Sequence, residues 1–428
     1  MPLGIGRVLD IMLGRTNDPL LRNSMFLMLY SVANAGLGFV FWFAAAKLSA
    51  PDDLGLAIGI VSSLSLIVLI TRFGLDLALI RFFPDGDKAR VFGTALSVTT
   101  ISTLICSLIY IGGIGLFSPS LSFLSEPVNF LLFVGFATAG SVFWLIGSAF
   151  LALRRADNYF YQTSMSGSKI LFLLPLAAFG AIGIFVSFGI AMVISMAIFL
   201  VVLVKLGVRI DLSIDVAFLK KSFAFCSSNY VSQLLIWAPT LILPIFVLNA
   251  LSAPDAASYY IAYTIASILF MIPNAVSTSL FVEGSHGQDM KLETRRSYKT
   301  TFMVLTPLTI IFIIFGNSVL GLFGATYSDI AFDVLRIMLL SGFFVAIVQI
   351  CMSILRVRDA NREIVILSAW IFFSLIITSA ILVSIIGLNG IGYAWLLSYG
   401  AGSLLSLIMI RKKRQGDKSD KIKSPIVV

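Results

Sequence analysis

Leu48-Ser49-Ala50-Pro51-Asp52 recurs as Leu251-Ser252-Ala253-Pro254-Asp255, and Gly180-Ala181-Ile182-Gly183-Ile184 is matched by Gly387-Leu388-Asn389-Gly390-Ile391. The members of each pair stand nearly the same distance apart, which marks an internal repeat. What is repeated follows from hydropathy. The 428 residues are 59% hydrophobic, with mean hydropathy +1.01, well above soluble-domain usage. Apolar runs of about 20 residues, enough to cross about 30 Å of hydrocarbon, recur at 23–46, 54–79, 91–116, 129–153, 159–180, 184–204, 223–249, 257–282, 300–322, 330–354, 363–386 and 390–410. The first repeat landmark follows spans 1 and 7, and the second lies between spans 5 and 6 and between spans 11 and 12. Each half therefore holds six spans. An even number of crossings gives both halves one orientation, so their pseudo-twofold axis should run along the membrane normal, around a central cavity.

The connections sort by charge. Those after spans 2, 4, 6, 8 and 10 carry Arg81, Lys88 and Arg90; Arg154 and Arg155; Arg209, Lys220 and Lys221; Lys291, Arg295, Arg296 and Lys299; and Arg356, Arg358 and Arg362. The tail adds Arg411 to Arg414, Lys418, Lys421 and Lys423, whereas 48–53, 117–128, 181–183, 250–256, 323–329 and 387–389 contain no Lys or Arg. The positive-inside rule puts both termini in the cytoplasm. The net charge of +9 is then the sum of loops facing anionic lipid heads and calls for no nucleic-acid partner.

The expected domains are an interfacial segment over 1–22, a six-helix lobe over 23–204, a cytoplasmic linker over 205–222, a second six-helix lobe over 223–410 and a basic tail over 411–428. Residues 1–22 interrupt their apolar positions with Arg7, Asp10, Arg15, Asp18 and Arg22, unlike a cleavable signal peptide. Leu3, Ile5, Val8, Leu9, Met12 and Leu13 predict a short interfacial helix there. Cys106, Cys226 and Cys351 have no metal or disulfide spacing, and the single histidine, His286, falls in a charged loop. The longest outer loop, 117–128, offers only Glu126 and serines, too little for a glycosyltransferase or polymerase site. No enzyme activity and no cofactor are expected.

Two lobes around a cavity suit alternating access, so polar groups inside the spans are the candidate site. Lys169 falls near mid-depth if span 5 begins near Tyr159, with Gln162 and Ser166 on its face at helical spacing; a later start would let Lys169 snorkel to the surface. Arg72 and Asp76 form an i,i+4 pair in span 2, either a local ion pair or a cavity arginine beside a carboxylate able to take a coupling proton or cation. Arg336 follows Asp333 and Asp329, and Lys47 sits at an outer end where it can snorkel. Tyr30, Asn34 and Gly38 in span 1 stand at steps of four, as do Asn229, Gln233 and Trp237 in span 7, and at the repeat offset Tyr30 matches Gln233 and Asn34 matches Trp237. Such residues are interhelical bonds or cavity contacts. Pro239, Pro244 and Pro273 permit bends.

Asn23-Ser24, Gly38-Phe39-Val40-Phe41-Trp42, the run Ala45-Ala46-Lys47-Leu48 through Pro51-Asp52-Asp53-Leu54-Gly55, Gly74-Leu75, Ile80-Arg81-Phe82 and Leu335-Arg336-Ile337 resemble the Wzx-type polysaccharide (O-antigen) flippases. These belong to the multidrug, oligosaccharidyl-lipid and polysaccharide flippase superfamily. The resemblance spans essentially the whole twelve-helix region. It implies a MATE-like pair of six-helix lobes and a lipid-linked oligosaccharide as cargo, flipped between leaflets. A coupling H+ or Na+, membrane lipids and the polysaccharide polymerase machinery are the partners it implies. An anionic pyrophosphate head would need cations in the cavity, from Lys169 with Arg72 or Arg336, and Tyr, Trp and Asn of spans 1 and 7 would meet sugar. A cation-coupled drug antiporter, expected to carry acidic residues instead, and a membrane scaffold are the alternatives.

Overall fold

The computed structural model describes residues 19–84, 86–286 and 288–423, with side chains described over 22–84, 86–286 and 288–411. Most of the interfacial segment expected over 1–22 lies outside them. The chain is helical: α1 (Pro19–Leu48), α2 (Pro51–Thr71), α3 (Leu75–Phe82), α4 (Lys88–Gly112), α5 (Ile114–Phe117), α6 (Pro127–Ala152), α7 (Ala156–Ser166), α8 (Lys169–Leu176), α9 (Gly180–Lys205), α10 (Val216–Ala250), α11 (Ala253–Ser285), α12 (Met290–Phe323), α13 (Ala325–Val357), α14 (Asn361–Ile386) and α15 (Asn389–Lys423), with 3-10 turns at Pro119–Ser125 and Ala177–Phe179. Helices are the natural answer to hydrocarbon because they satisfy their backbone groups internally.

Among the described residues eleven helical stretches are long and apolar enough to cross a membrane, and one of them, Ala156–Lys205, is 50 residues long. That stretch doubles back at Gly180. The Ser195 hydroxyl of α9 donates to the Gln162 carbonyl of α7 at 2.7 Å, and a Cβ on Gly183 would stand 1.8 Å from the Leu176 carbonyl oxygen. It therefore has length for two crossings, so the described residues of this polytopic membrane protein hold twelve segments long and apolar enough to cross.

The turn that reverses it appears twice. Gly180 has φ 61° and ψ −141°, and Gly387, its counterpart in the second repeat landmark, has φ 60° and ψ −143°. This region is essentially closed to other residues. Arg154 (φ 56°) and Asp359 (φ 51°) also form a pair. Each ends a helix in the left-handed conformation, and the next N–H, of Arg155 or Ala360, reaches back five residues to a carbonyl at 2.9 Å, a Schellman-type closure. The repeat read from sequence is thus also a repeat of backbone conformation.

Three expectations change. Span 2, predicted as continuous over 54–79, is broken between α2 and α3 by Phe73 (φ 48°) and Gly74 (φ 75°). Span 5 tightens between α7 and α8, where Gly167 and Ser168 stay right-handed helical but bond i→i+3. The connection expected over 205–222 is partly helical, because Val216 begins α10. What remains lies along α4: Thr94 donates to the Ser213 carbonyl and accepts the Asp215 N–H, both at 3.0 Å, and Ser97 donates to the Leu212 carbonyl at 3.3 Å. The Ser213 N–H, 3.0 Å from Asp211, holds that carboxyl below its ordinary range.

The helices fall into two compact units, residues 1–49 with 64–227, and residues 50–63 with 228–428. In the first, α9 packs on α6, α7 and α8, α1 packs on α7 and α8, and α4 packs on α6. Leu79, Phe83, Phe92, Leu145, Phe150, Leu203 and Phe218 are buried together in one of its clusters. In the second, α13 packs against α11, α12 and α15, and α14 packs on α15. There Leu355, Leu367 and Ile371 are buried together. Pro239, Pro244 and Pro273 lie inside the continuous helices α10 and α11. Cys226 and Cys351 are buried, Cys106 is half-buried, and all three are free thiols.

Gly387→Ala should cost about 1–3 kcal/mol, because a methyl group meets no neighbour there and the penalty is purely conformational. Gly321→Ala, also without a neighbour within 4 Å but inside α12, should leave stability unchanged or slightly raised. Thermal unfolding of the two variants in detergent measures the contrast.

Candidate functional site

Polar groups within the spans of the first unit gather around the break between α2 and α3. Thr71 donates to the Ile67 carbonyl and shares a hydrogen bond with Thr103 of α4, both at 2.8 Å. Two left-handed residues then turn the chain, and the Leu75 N–H closes on the Arg72 carbonyl at 2.8 Å. The turn is tight enough that Arg72 and Asp76 still meet, Nη1 to Oδ2 at 3.0 Å, with each side chain 14% exposed. The i,i+4 pair survives although the helix does not.

Around the pair stand aromatics. The Arg72 guanidinium lies 4.9 Å from the Trp144 ring centroid, a desolvated cation on the richest aromatic face. Tyr30 of α1 stacks on Tyr159 of α7 at 4.1 Å. Gly147 of α6 makes room: a Cβ there would be 2.7 Å from the Tyr159 ring. Near the starts of α1 and α7, Asp157 is 10% exposed and binds Arg22 at 3.0 Å and Arg155 at 3.1 Å.

Lys169 begins α8 just after the tightened turn at Gly167 and Ser168, near the middle of the crossing between Ala156 and Phe179. Its ammonium lies 5.0 Å from the Phe41 centroid on α1 and 4.7 Å from the Phe188 centroid on α9. The two rings are 6.1 Å apart, so they grip the cation from two sides. Among the described residues no carboxylate pairs with it. The other acid and base inside this unit's spans neutralise each other; Lys169 does not.

The predicted site residues therefore divide. Gln162 is fully buried, donating to the Phe143 carbonyl of α6 at 2.9 Å while its amide oxygen has no partner. Ser166 donates to the Thr163 carbonyl at 2.7 Å. Gln162 and Lys169 meet different neighbours, the Phe143 carbonyl for one and the Phe41 and Phe188 rings for the other. Tyr30 belongs with the Arg72 cluster. Asn34 on α1 is exposed, as are Asn229, Gln233 and Trp237 on α10, so these lie on uncovered faces of their own units. Arg336 on α13 is 47% exposed, 4.0 Å from Asp333 and 4.2 Å from the Phe332 centroid. No group of three or more metal-ligating side chains occurs among the described residues.

Sequence reading passed over Trp144, Tyr159, Asp157 and the Phe41–Phe188 clamp. It also missed a stack in the second unit, where Trp395 lies 5.7 Å from Tyr263, 5.6 Å from Phe270 and 5.2 Å from Tyr399. The spacing of four between Tyr259 and Tyr263 and between Trp395 and Tyr399 was the available signal.

The arrangement of helices is shared with solved transporters. A lipid II flippase MurJ in an inward closed conformation superposes with a TM-score of 0.74 at 16% identity, over 90% of this chain and 87% of that one. An inward-facing multidrug resistance MATE family transporter of the MOP superfamily gives 0.67 at 16% identity, over 90% and 95%. A MATE protein in complex with MaL6 gives 0.60 at 14%, over 96% and 99%. No protein-family model and no curated protein matches the chain. At these identities the likeness establishes the fold: an all-helical membrane protein built like the flippases and drug transporters of that superfamily.

Arg72→Ala leaves Asp76 as an unpaired, largely buried charge and should cost about 3–5 kcal/mol. The double variant Arg72→Ala with Asp76→Ala should recover a large part of that loss. Unfolding midpoints of the two single variants and the double variant read the coupling.

Proposed function

We propose that this protein is a Wzx-type flippase. It moves lipid-linked oligosaccharide, carried on a polyprenyl pyrophosphate, from the inner to the outer leaflet of the cell membrane by alternating access, for cell-surface polysaccharide synthesis. Its halves are the lobes 23–204 and 223–410, with both termini in the cytoplasm. The observation that carries the reading is Lys169, a cation near mid-span with aromatic walls and no carboxylate partner. An uncompensated charge inside hydrocarbon is expensive, and a pyrophosphate head is the kind of cargo that would offset it. Lys binds such a head as a point charge. The likeness to a lipid II flippase supports a lipid-borne cargo, while the sugar-facing role falls to exposed Asn34, Gln233 and Trp237.

A cation-coupled drug antiporter of the multidrug branch is the rival that the fold also permits. It needs a carboxylate free to bind a cation or proton. Asp76, the coupling candidate, is held by Arg72 at 3.0 Å, which favours the flippase.

In the host cell, removing the protein should leave lipid-linked precursor accumulating in the inner leaflet. Lys169→Ala should insert normally yet fail to relieve that accumulation, and Lys169→Arg should restore export at least in part. Extraction and mass analysis of precursor lipids reads the result. Undiminished export by Lys169→Ala, or efflux of cationic dyes by the wild type, would turn the assignment towards the rival.

A further inference from the structure

Away from Lys169, a cavity of about 400 Å³ opens where α3, α4 and α10 converge in the first unit, at the end that the charge pattern assigns to the cytoplasm. Three cations from three helices line it: Arg81 of α3, Arg90 of α4 and Lys221 of α10. Among the described residues none of the three has an ion-pair partner. Two carboxylates share the cavity, but each is engaged at a helix start. Asp87 accepts the N–H groups of Ala89 at 3.1 Å and Arg90 at 3.4 Å, and Asp215 accepts that of Phe218 at 3.0 Å. The carboxylates meet the positive ends of those two helix starts, and three cations against two carboxylates leave the cavity net positive.

The rest of the wall is apolar. Phe82 and Phe218 meet edge to face at 6.4 Å, and the Lys221 ammonium lies 4.6 Å from the Phe82 centroid. Converging cations repel one another unless an anion joins them, and a cavity with aromatic walls beneath its charges suits an anion that carries hydrocarbon. Phosphate is the group that arginine binds best through its paired donors, and anionic lipid heads crowd the cytoplasmic surface. A free anion would gain nothing from the aromatic wall.

We propose that this cavity binds the phosphate headgroup of an anionic membrane lipid, joining α3, α4 and the start of α10 through their shared ligand. The assignment is independent of the cargo and does not involve Lys169.

The test uses the purified full-length protein in detergent, with thermal unfolding and native mass spectrometry read against added phosphatidylglycerol, phosphatidylcholine or inorganic phosphate. Phosphatidylglycerol should stabilise the protein and remain bound, while the other two at equal concentration should do neither. The neutral variant R81Q/R90Q/K221Q should lose at least tenfold in apparent affinity for phosphatidylglycerol, and R81K/R90K/K221R should retain it. If the neutral triple variant does not fold, each single substitution should weaken binding two- to threefold. Equal effects of the two lipids, stabilisation by inorganic phosphate matching that by phosphatidylglycerol, or neutral variants that bind as the wild type does would each overturn the proposal.

Discussion

Everything in this molecule is arranged around the cost of placing an unmet polar group in hydrocarbon. Backbone groups are closed into helices, and hydroxyls within the spans mostly return to a carbonyl of their own helix, as Ser63 does to Gly59 and Ser368 to Ile364, both at 2.8 Å. Where a helix must break, the freed groups are met locally, as the Leu75 N–H is by Arg72. Charge obeys the same constraint: Arg72 and Asp76 enter together and stay together. Against that background Lys169 stands out, since among the described residues no carboxylate pairs with it. Its ammonium lies against the faces of Phe41 and Phe188, which softens the cost of its charge without neutralising it.

One break and one tightened turn place these groups. A continuous helix through 72–74 would carry the following side chains around by regular helical steps. Instead the left-handed pair Phe73 and Gly74 restarts α3 with Asp76 folded back on Arg72. At Gly167 and Ser168 the helix only tightens, and Lys169 follows between the Phe41 and Phe188 rings of α1 and α9. Gly167 itself lies against α1, where a Cβ would be 2.6 Å from a Leu37 methyl. Irregular backbone at membrane depth is tolerated only where it is buried in protein or lines water, so the break at Phe73 and Gly74 marks a position where helix regularity gave way to a polar arrangement.

Much of this was legible in the sequence. Hydropathy carried the twelve crossings because the bilayer's thickness sets their length, and Gly180 and Gly387 were legible as landmarks because their backbone conformation admits little else. The i,i+4 spacing of Arg72 and Asp76 pointed to their pairing. Other features were hidden for physical reasons. Hydropathy does not register a left-handed Phe73, and glycine is common enough in membrane helices that Gly74 announces no break. Whether Gln162 lines a cavity or ties helices together depends on the Phe143 carbonyl, which is set by how α6 packs. The partner of Tyr30 is Tyr159 on α7, and no local pattern names it. The cations Arg81, Arg90 and Lys221 were read as topology signals, and their convergence on one cavity required the fold.

The central claim is that an unpaired mid-span cation moves an anionic lipid-linked cargo. Reconstitution of the pure protein in liposomes tests it most directly, by following the transfer between leaflets of a short-chain polyprenyl-pyrophosphate sugar and of the same sugar on an uncharged lipid linkage. The account predicts that the wild type moves the pyrophosphate-linked sugar and not the neutral one, and that Lys169→Ala loses this movement. Equal movement of both lipids, or undiminished pyrophosphate transfer by Lys169→Ala, would contradict it.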